Sequence, residues 1–85
     1  MTTGPSAART LVLMRHAETE AVRPGSPDRE RRLTPDGERW AAEVGEALRA
    51  SGTVADLVVA SSAVRARQTA SGLGFEAPLV VSYRL

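Results

Sequence analysis

The sequence predicts an α/β domain in which helices pack on a mostly parallel sheet. Three short apolar runs alternate with two segments of helical period, in the order β-α-β-α-β along the 85 residues. The apolar runs are continuous rather than alternating, which is typical of strands buried on both faces of a sheet. Strands that alternate with helices favour parallel pairing through crossover connections. We therefore expect a single domain over residues 1–85, with residues 1–9 as a disordered tail.

The first predicted strand, Thr10–Met14, runs directly into Arg15 and His16, and His16 is the sole histidine. Residues 17–33 carry no hydrophobic period, and RPGSP within them is typical of a turn. The charges of this segment balance, with four acids and four arginines. It is therefore predicted to be a polar surface loop.

The first helix is predicted to begin after Thr34, which is a suitable N-cap, with Pro35 at the first helical position. Its apolar residues fall at steps of three and four and predict one core-facing stripe. The stripe comprises Trp40, Ala41, Val44, Ala47 and Leu48. Ser51-Gly52 is predicted to end this helix.

The second strand is predicted over Asp56–Ala60, the second helix over residues 61–74, and the third strand over residues 77–85. A serine should cap this helix and a glycine should stop it. The candidates are Ser61 or Ser62, and Gly72 or Gly74. Because parallel strands need neighbours and covering helices, three strands and two helices predict the first half of a larger domain.

Composition limits the classes of function. All 11 basic residues are arginine, and the absence of Lys, Asn and Ile indicates the codon usage of a G/C-rich bacterial genome. A net charge of +1 gives no electrostatic support for nucleic-acid binding. The chain has no cysteine and no apolar run approaching the roughly 20 residues that span a bilayer. We expect a cytoplasmic protein with no membrane partner, no metal and no cofactor.

Two segments place arginine or histidine residues at the edge of the sheet where ligands bind in α/β folds. The first strand ends at Arg15 and His16, and the second ends shortly before Arg65. A cation in the first turn of a helix opposes the macrodipole by about 0.3–1 kcal/mol unless an anion lies there. Arginine forks bind phosphoryl oxygens and a histidine can act as the nucleophile. The alternatives are a histidine that caps a carbonyl and a solvated arginine.

Three stretches, LVLMRHAET, LTPDGERWA and ASSAVRARQTA, together resemble the histidine phosphatase superfamily, which includes the cofactor-dependent phosphoglycerate mutases. The resemblance implies the N-terminal β-α-β-α-β part of a three-layer fold. It implies that His16 is the phosphorylated nucleophile, that Arg15 and Arg65 are catalytic and bind the phosphate, and that Thr19 lines the substrate pocket. Four motif positions are implied to be structural, namely Thr34, Gly37, Gln68 and Thr69.

Within the superfamily, the segment DRERRLT, residues 28–34, resembles the small bacterial phosphohistidine phosphatases. Mutase-like members usually carry glycine and asparagine where this chain has Ala17 and Val22. The resemblance implies a phosphorylated protein of the histidine phosphorelay type as substrate, with a small phosphorylated metabolite as the other candidate. The loop arginines Arg23, Arg29, Arg31 and Arg32 either border the pocket and select the substrate or form a solvated surface.

The family pocket also needs a second histidine from the C-terminal half, and this sequence has none after His16. Two alternatives to an enzyme follow: a phosphate-binding or phosphoprotein-binding module without turnover, and an inactive fragment of a longer phosphatase. We expect the 85-residue chain alone to be weak or inactive as a catalyst. Self-association is expected through the uncovered C-terminal strand.

Overall fold

The computed structural model describes residues 11–85, which form a 3₁₀ turn, two α-helices and two parallel strands. In chain order these are a 3₁₀ turn Asp28–Glu30, helix α1 Pro35–Ala50, strand β1 Val58–Ser61, helix α2 Val64–Gly72 and strand β2 Leu79–Ser82. The predicted α/β class with parallel pairing is confirmed. The predicted tail over residues 1–9 lies outside the described residues. Neither helix of the described part is long and apolar enough to cross a membrane.

Helix α1 begins where the capping pattern predicts. The Thr34 hydroxyl accepts a hydrogen bond from the backbone N–H of Gly37 at 2.9 Å, and Pro35 occupies the first turn. The predicted apolar stripe is only partly buried: Ala41 is fully buried, whereas Trp40 remains 43% exposed. Gly45 is buried instead, because the carbonyl of Leu73 lies where its Cβ would be. Small residues therefore let α1 and α2 approach closely.

The sheet consists of β1 and β2, which pair in parallel from Val58 opposite Leu79 to Ser61 opposite Ser82. Helix α2 connects the two strands and contacts both of them as well as α1. The second and third predicted strands are therefore confirmed, each four residues long. This crossover places the start of α2 at the carboxyl end of β1, the edge where ligands bind in α/β folds.

The first predicted strand is wrong for the residues that are described. Residues 11–14 belong to no strand, and Leu11 and Leu13 are 81% and 83% exposed. A strand buried on both faces is formed only where other elements cover both faces. Within residues 11–85 helix α1 packs on α2, and α2 packs against β1 and β2. The apolar run is therefore left without that cover.

The predicted serine cap of α2 is also wrong. Ala63 is the N-cap and makes no side-chain capping bond. Ser61 Oγ accepts from the backbone N–H of Ala63 at 3.2 Å, outside the helix, and Ser62 Oγ accepts from Arg29 at 2.6 Å. Ser62 thus fastens the loop to the start of α2. The helix ends at Gly72, one of the two predicted glycines.

Candidate active site

Arg15 and His16 follow residues 11–14, and both are exposed. The Nδ1 atom of His16 lies 2.8 Å from the carbonyl oxygen of Ala17. Since a carbonyl only accepts hydrogen bonds, Nδ1 is the protonated donor of this pair. In the neutral ring the lone pair is then on Nε2, the atom farther from the backbone. The contact therefore leaves Nε2 as the ring nitrogen with a lone pair outside this hydrogen bond.

The residue after His16 is buried and fixed to α2. Ala17 is 3% exposed, and its backbone N–H donates to Thr69 Oγ1 at 3.0 Å. The same hydroxyl donates to the carbonyl of Arg65 at 2.7 Å. Two hydrogen bonds through one buried threonine therefore join the His16 segment to the turn of α2 that carries Arg65. This arrangement gives Thr69 the structural role that the family motif implied.

The segment after Ala17 is held against the start of α1. The backbone N–H of Thr34 donates to the carbonyl of Glu18 at 3.0 Å, and Thr19 and Leu33 form an antiparallel bridge. The backbone N–H of Leu33 donates to Gln68 Oε1 at 2.8 Å, which ties this bridge to α2. The family motif positions Thr34 and Gln68 are thus hydrogen-bonded where the chain segments meet.

Arg65 is the second residue of α2, and its side chain is 20% exposed. Its Nη1 donates to the backbone carbonyl of Asp28 at 3.0 Å and lies 3.1 Å from Asp28 Oδ2. The other carboxylate oxygen of Asp28 lies 2.9 Å from Arg31 Nη2. Arg31 Nη1 in turn donates to Thr19 Oγ1 at 2.7 Å. We call these four residues, Thr19, Asp28, Arg31 and Arg65, the Asp28 network.

The loop leaves a cavity of about 210 Å³ beside the Asp28 network. Its charged lining consists of three arginines and three acids, namely Arg23, Arg31, Arg32, Glu20, Asp28 and Glu30. Arg23 makes a loose ion pair with Glu20 at 3.8 Å. Three of the four loop arginines thus face one cavity, and the fourth, Arg29, contacts Ser62.

Two hydrogen-bonded paths connect predicted site residues to Arg65. Thr69 joins the backbone beside His16 to Arg65, and Asp28 with Arg31 joins Thr19 to Arg65. The convergence of Arg15, His16 and Arg65 on one anion stays a prediction. Sequence reasoning missed Asp28 as the partner of Arg65, although the i, i+3 spacing of Asp28 and Arg31 was visible in the sequence. Among the described residues no three His, Cys, Asp or Glu side chains form a group that could hold a metal ion.

This fold and these motif positions define the class of protein. The family model of the histidine phosphatase superfamily (branch 1) matches residues 11–85, and the chain belongs to this family. It is 43% identical over 72 residues to an uncharacterized protein of Mycobacterium tuberculosis, covering 85% of this chain and 45% of that protein. An uncharacterized protein of Mycobacterium leprae is 41% identical over 76 residues, with 85% and 47% of the two chains covered.

Two solved structures share the fold, and both are assigned by name as SixA phosphohistidine phosphatases. The one from Nakamurella multipartitia has a TM-score of 0.77 and 40% identity, covering 86% of this chain and 41% of that chain. The one from Agrobacterium tumefaciens has a TM-score of 0.73 and 26% identity, covering 81% and 47%. The chain therefore spans about half the length of the relatives it matches.

Proposed function

We propose that this protein is a phosphatase that removes phosphate from phosphohistidine on a protein, through a phospho-His16 intermediate. The observation that carries the proposal is the 2.8 Å contact between His16 Nδ1 and the carbonyl of Ala17, which leaves the lone pair on Nε2. Membership of the superfamily and the assigned names of the two solved relatives support it. A cytoplasmic location, where histidine phosphorelays act, belongs to the same proposal.

The proposed reaction has two transfers. Nε2 of His16 attacks phosphorus, a new N–P bond forms, and the bond from phosphorus to the substrate nitrogen breaks. The leaving nitrogen departs with the electron pair and takes up a proton. Water then attacks phospho-His16, Nε2 leaves with the bonding pair, and inorganic phosphate is released. Because the N–P bond is labile, this substrate needs a strong general acid less than a phosphate ester does.

Arg15 and Arg65 are proposed to bind the transferring phosphoryl group. Its transition state spreads charge over three oxygens, so cations placed around it lower the barrier. The Nη1 atom of Arg65 is engaged by Asp28, which leaves Nε and Nη2 outside these contacts. Thr19 is proposed as a further substrate contact, although in the structure its hydroxyl accepts from Arg31.

A binding module without turnover is the alternative function. It is favoured by the single histidine of the 85 residues, because the family pocket uses two. In that case the same cations would hold phosphate or a phosphoprotein, and no phospho-His16 would form. An inactive fragment of a longer phosphatase would show neither property.

The two functions are separated by incubating the protein with a ³²P-phosphohistidine protein and, in parallel, with a small phosphate ester. We expect release of inorganic phosphate and a transient label on the protein that is stable to base and labile to acid. Both should be lost in His16→Asn and retained in Arg67→Gln, a change of an exposed arginine on α2. Retention of the substrate without release would establish the binding module, and neither label nor retention would overturn both functions.

A further inference from the structure

We propose that Asp28 is a positioning residue that holds the guanidinium of Arg65 so that its Nε–Nη2 edge faces the phosphoryl group. This inference rests on the proposed function, since it assigns Arg65 to the phosphate. It concerns a residue 37 positions away in sequence, on the loop that follows His16.

The contacts of Arg65 are made by one nitrogen. Nη1 carries two hydrogens, and both acceptors near it belong to Asp28: the backbone carbonyl at 3.0 Å and carboxylate Oδ2 at 3.1 Å. Two acceptors on one nitrogen restrict rotation of the planar guanidinium. The hydrogens on Nε and Nη2 remain, and these two nitrogens form the parallel fork that binds two oxygens of a phosphate.

Asp28 is itself held from its other side. Carboxylate Oδ1 lies 2.9 Å from Arg31 Nη2, and the backbone N–H of Arg31 donates to the carbonyl of Asp28 at 3.0 Å. Arg31 is anchored by Thr19, whose neighbours in the chain are bonded to residues 32–34. The backbone of Asp28 is therefore placed by the 3₁₀ turn, and its carboxylate, which is 55% exposed, is held by Arg31. A carboxylate held by a second arginine can orient Arg65 rather than follow it.

The charges of the network leave it attractive to an anion. Two arginines share one carboxylate, so the network carries a net charge of +1 by summing Arg31, Arg65 and Asp28. A different role for Asp28 would be that of a competing anion that occupies Arg65 until phosphate displaces it. The two roles predict opposite changes in phosphate affinity when the carboxylate is removed. Loss of a positioning carboxylate weakens phosphate binding, whereas loss of a competing carboxylate strengthens it.

The test compares Asp28→Asn with Glu30→Gln in the complete protein, using orthovanadate as the probe and calorimetry for its affinity. Glu30 is an exposed acid of the same 3₁₀ turn that lines the same cavity and makes no ion pair within residues 11–85, so its variant controls for the loss of one negative charge beside the network. We expect Asp28→Asn to weaken vanadate binding roughly tenfold relative to Glu30→Gln. In an Arg65→Lys background, the difference between the two variants should disappear.

Equal or tighter vanadate binding by Asp28→Asn would overturn the inference and leave the proposed function standing. A tenfold loss that persists in the Arg65→Lys background would also overturn it, because the effect would then not pass through Arg65. Failure of the wild-type protein to bind vanadate would instead contradict the phosphate site on which the proposed function depends. Thermal unfolding of each variant checks that the fold is retained.

Discussion

The backbone nitrogen of Ala17 lies 3.0 Å from the hydroxyl oxygen of Thr69, 52 residues later in the chain. The carbonyl of Ala17 accepts from His16 Nδ1 at 2.8 Å. The N–H and the C=O of one buried residue are therefore both engaged, one by α2 and the other by the imidazole. Since Thr69 also donates to the carbonyl of Arg65, the hydroxyl fixes the His16 backbone relative to the first turns of α2.

Thr69→Val is predicted to destabilise the protein by about 1–3 kcal/mol, because the buried N–H of Ala17 loses its acceptor. Valine keeps the branched shape of threonine, so the loss reports the hydroxyl and not the packing. The fraction of protein phosphorylated on His16 should fall further than the fraction that is folded, since the imidazole loses its fixed position. Urea unfolding and the transient label measure the two effects.

Thr69→Ser is the matched control, because it keeps the hydroxyl and removes a methyl group. It should retain the label on His16 and most of the stability. If Thr69→Val unfolds at the same urea concentration as the wild type, the hydrogen bond to Ala17 does not contribute to the folded state.

Gly37→Ala is predicted to disturb the same region from the side of α1. The carbonyl oxygen of Glu18 lies where the Cβ of residue 37 would be, so an alanine must displace the segment that follows His16. We expect a loss of about 1–3 kcal/mol in the free energy of unfolding, even though alanine has a higher helix propensity than glycine.

Glu43→Ala serves as the control for Gly37→Ala, since position 43 is exposed on the same helix. It should change the free energy of unfolding by no more than about 0.5 kcal/mol. A Gly37→Ala protein as stable as this control would show that the backbone of Glu18 moves aside without cost.

Local signals account for the elements that were predicted well. The start of α1 follows from Thr34 and Pro35, whose effect is confined to one helical turn. The third strand followed from its apolar run, and its pairing with β1 confirms it. The first strand depends on elements that cover both its faces, so an apolar run alone predicted it wrongly for residues 11–14.

In the candidate site, too, the sequence motifs identified residues, whereas contacts between distant residues could not be predicted. Motif residues such as His16 and Arg65 could be selected from the sequence because their spacing matches a family. The contact of Arg65 with Asp28 spans 37 residues and depends on how the loop folds back. Ser62 shows the converse: its position before a helix predicted a cap, but the side chain accepts from Arg29 instead.

The loop arginines fall into two pairs that should behave differently. Arg29 and Arg31 are hydrogen-bonded to Ser62 and Thr19, so replacing them should lower all activities together. Arg23 and Arg32 are exposed beside the loop cavity. We expect Arg23→Gln with Arg32→Gln to lower kcat/KM for a phosphoprotein and to leave that for a small phosphate ester unchanged, since only the larger substrate reaches these cations.

The ratio of the two kcat/KM values, measured at low and at physiological salt, checks this expectation. Attraction between exposed charges is screened by salt, so the selectivity effect should shrink as salt rises. A double variant with the wild-type ratio at low salt would show that Arg23 and Arg32 are a solvated surface without a part in selection.

The last prediction concerns residues 1–85 expressed alone, which we expect to self-associate and to turn over poorly. Apolar strand residues are exposed in the structure: Val59 is 50% and Val80 47% accessible, and residues 11–14 are exposed as well. Such a surface favours association, and sedimentation should show it. Val59→Lys should reduce association if this face is responsible, whereas Ala42→Lys on the exposed face of α1 should not.

Phosphoryl transfer depends on several groups acting together, so the rate should rise by orders of magnitude when the chain is extended with the C-terminal segment of a mycobacterial relative. Strong turnover by residues 1–85 as a monomer, abolished by His16→Ala and not raised by the extension, would contradict this prediction.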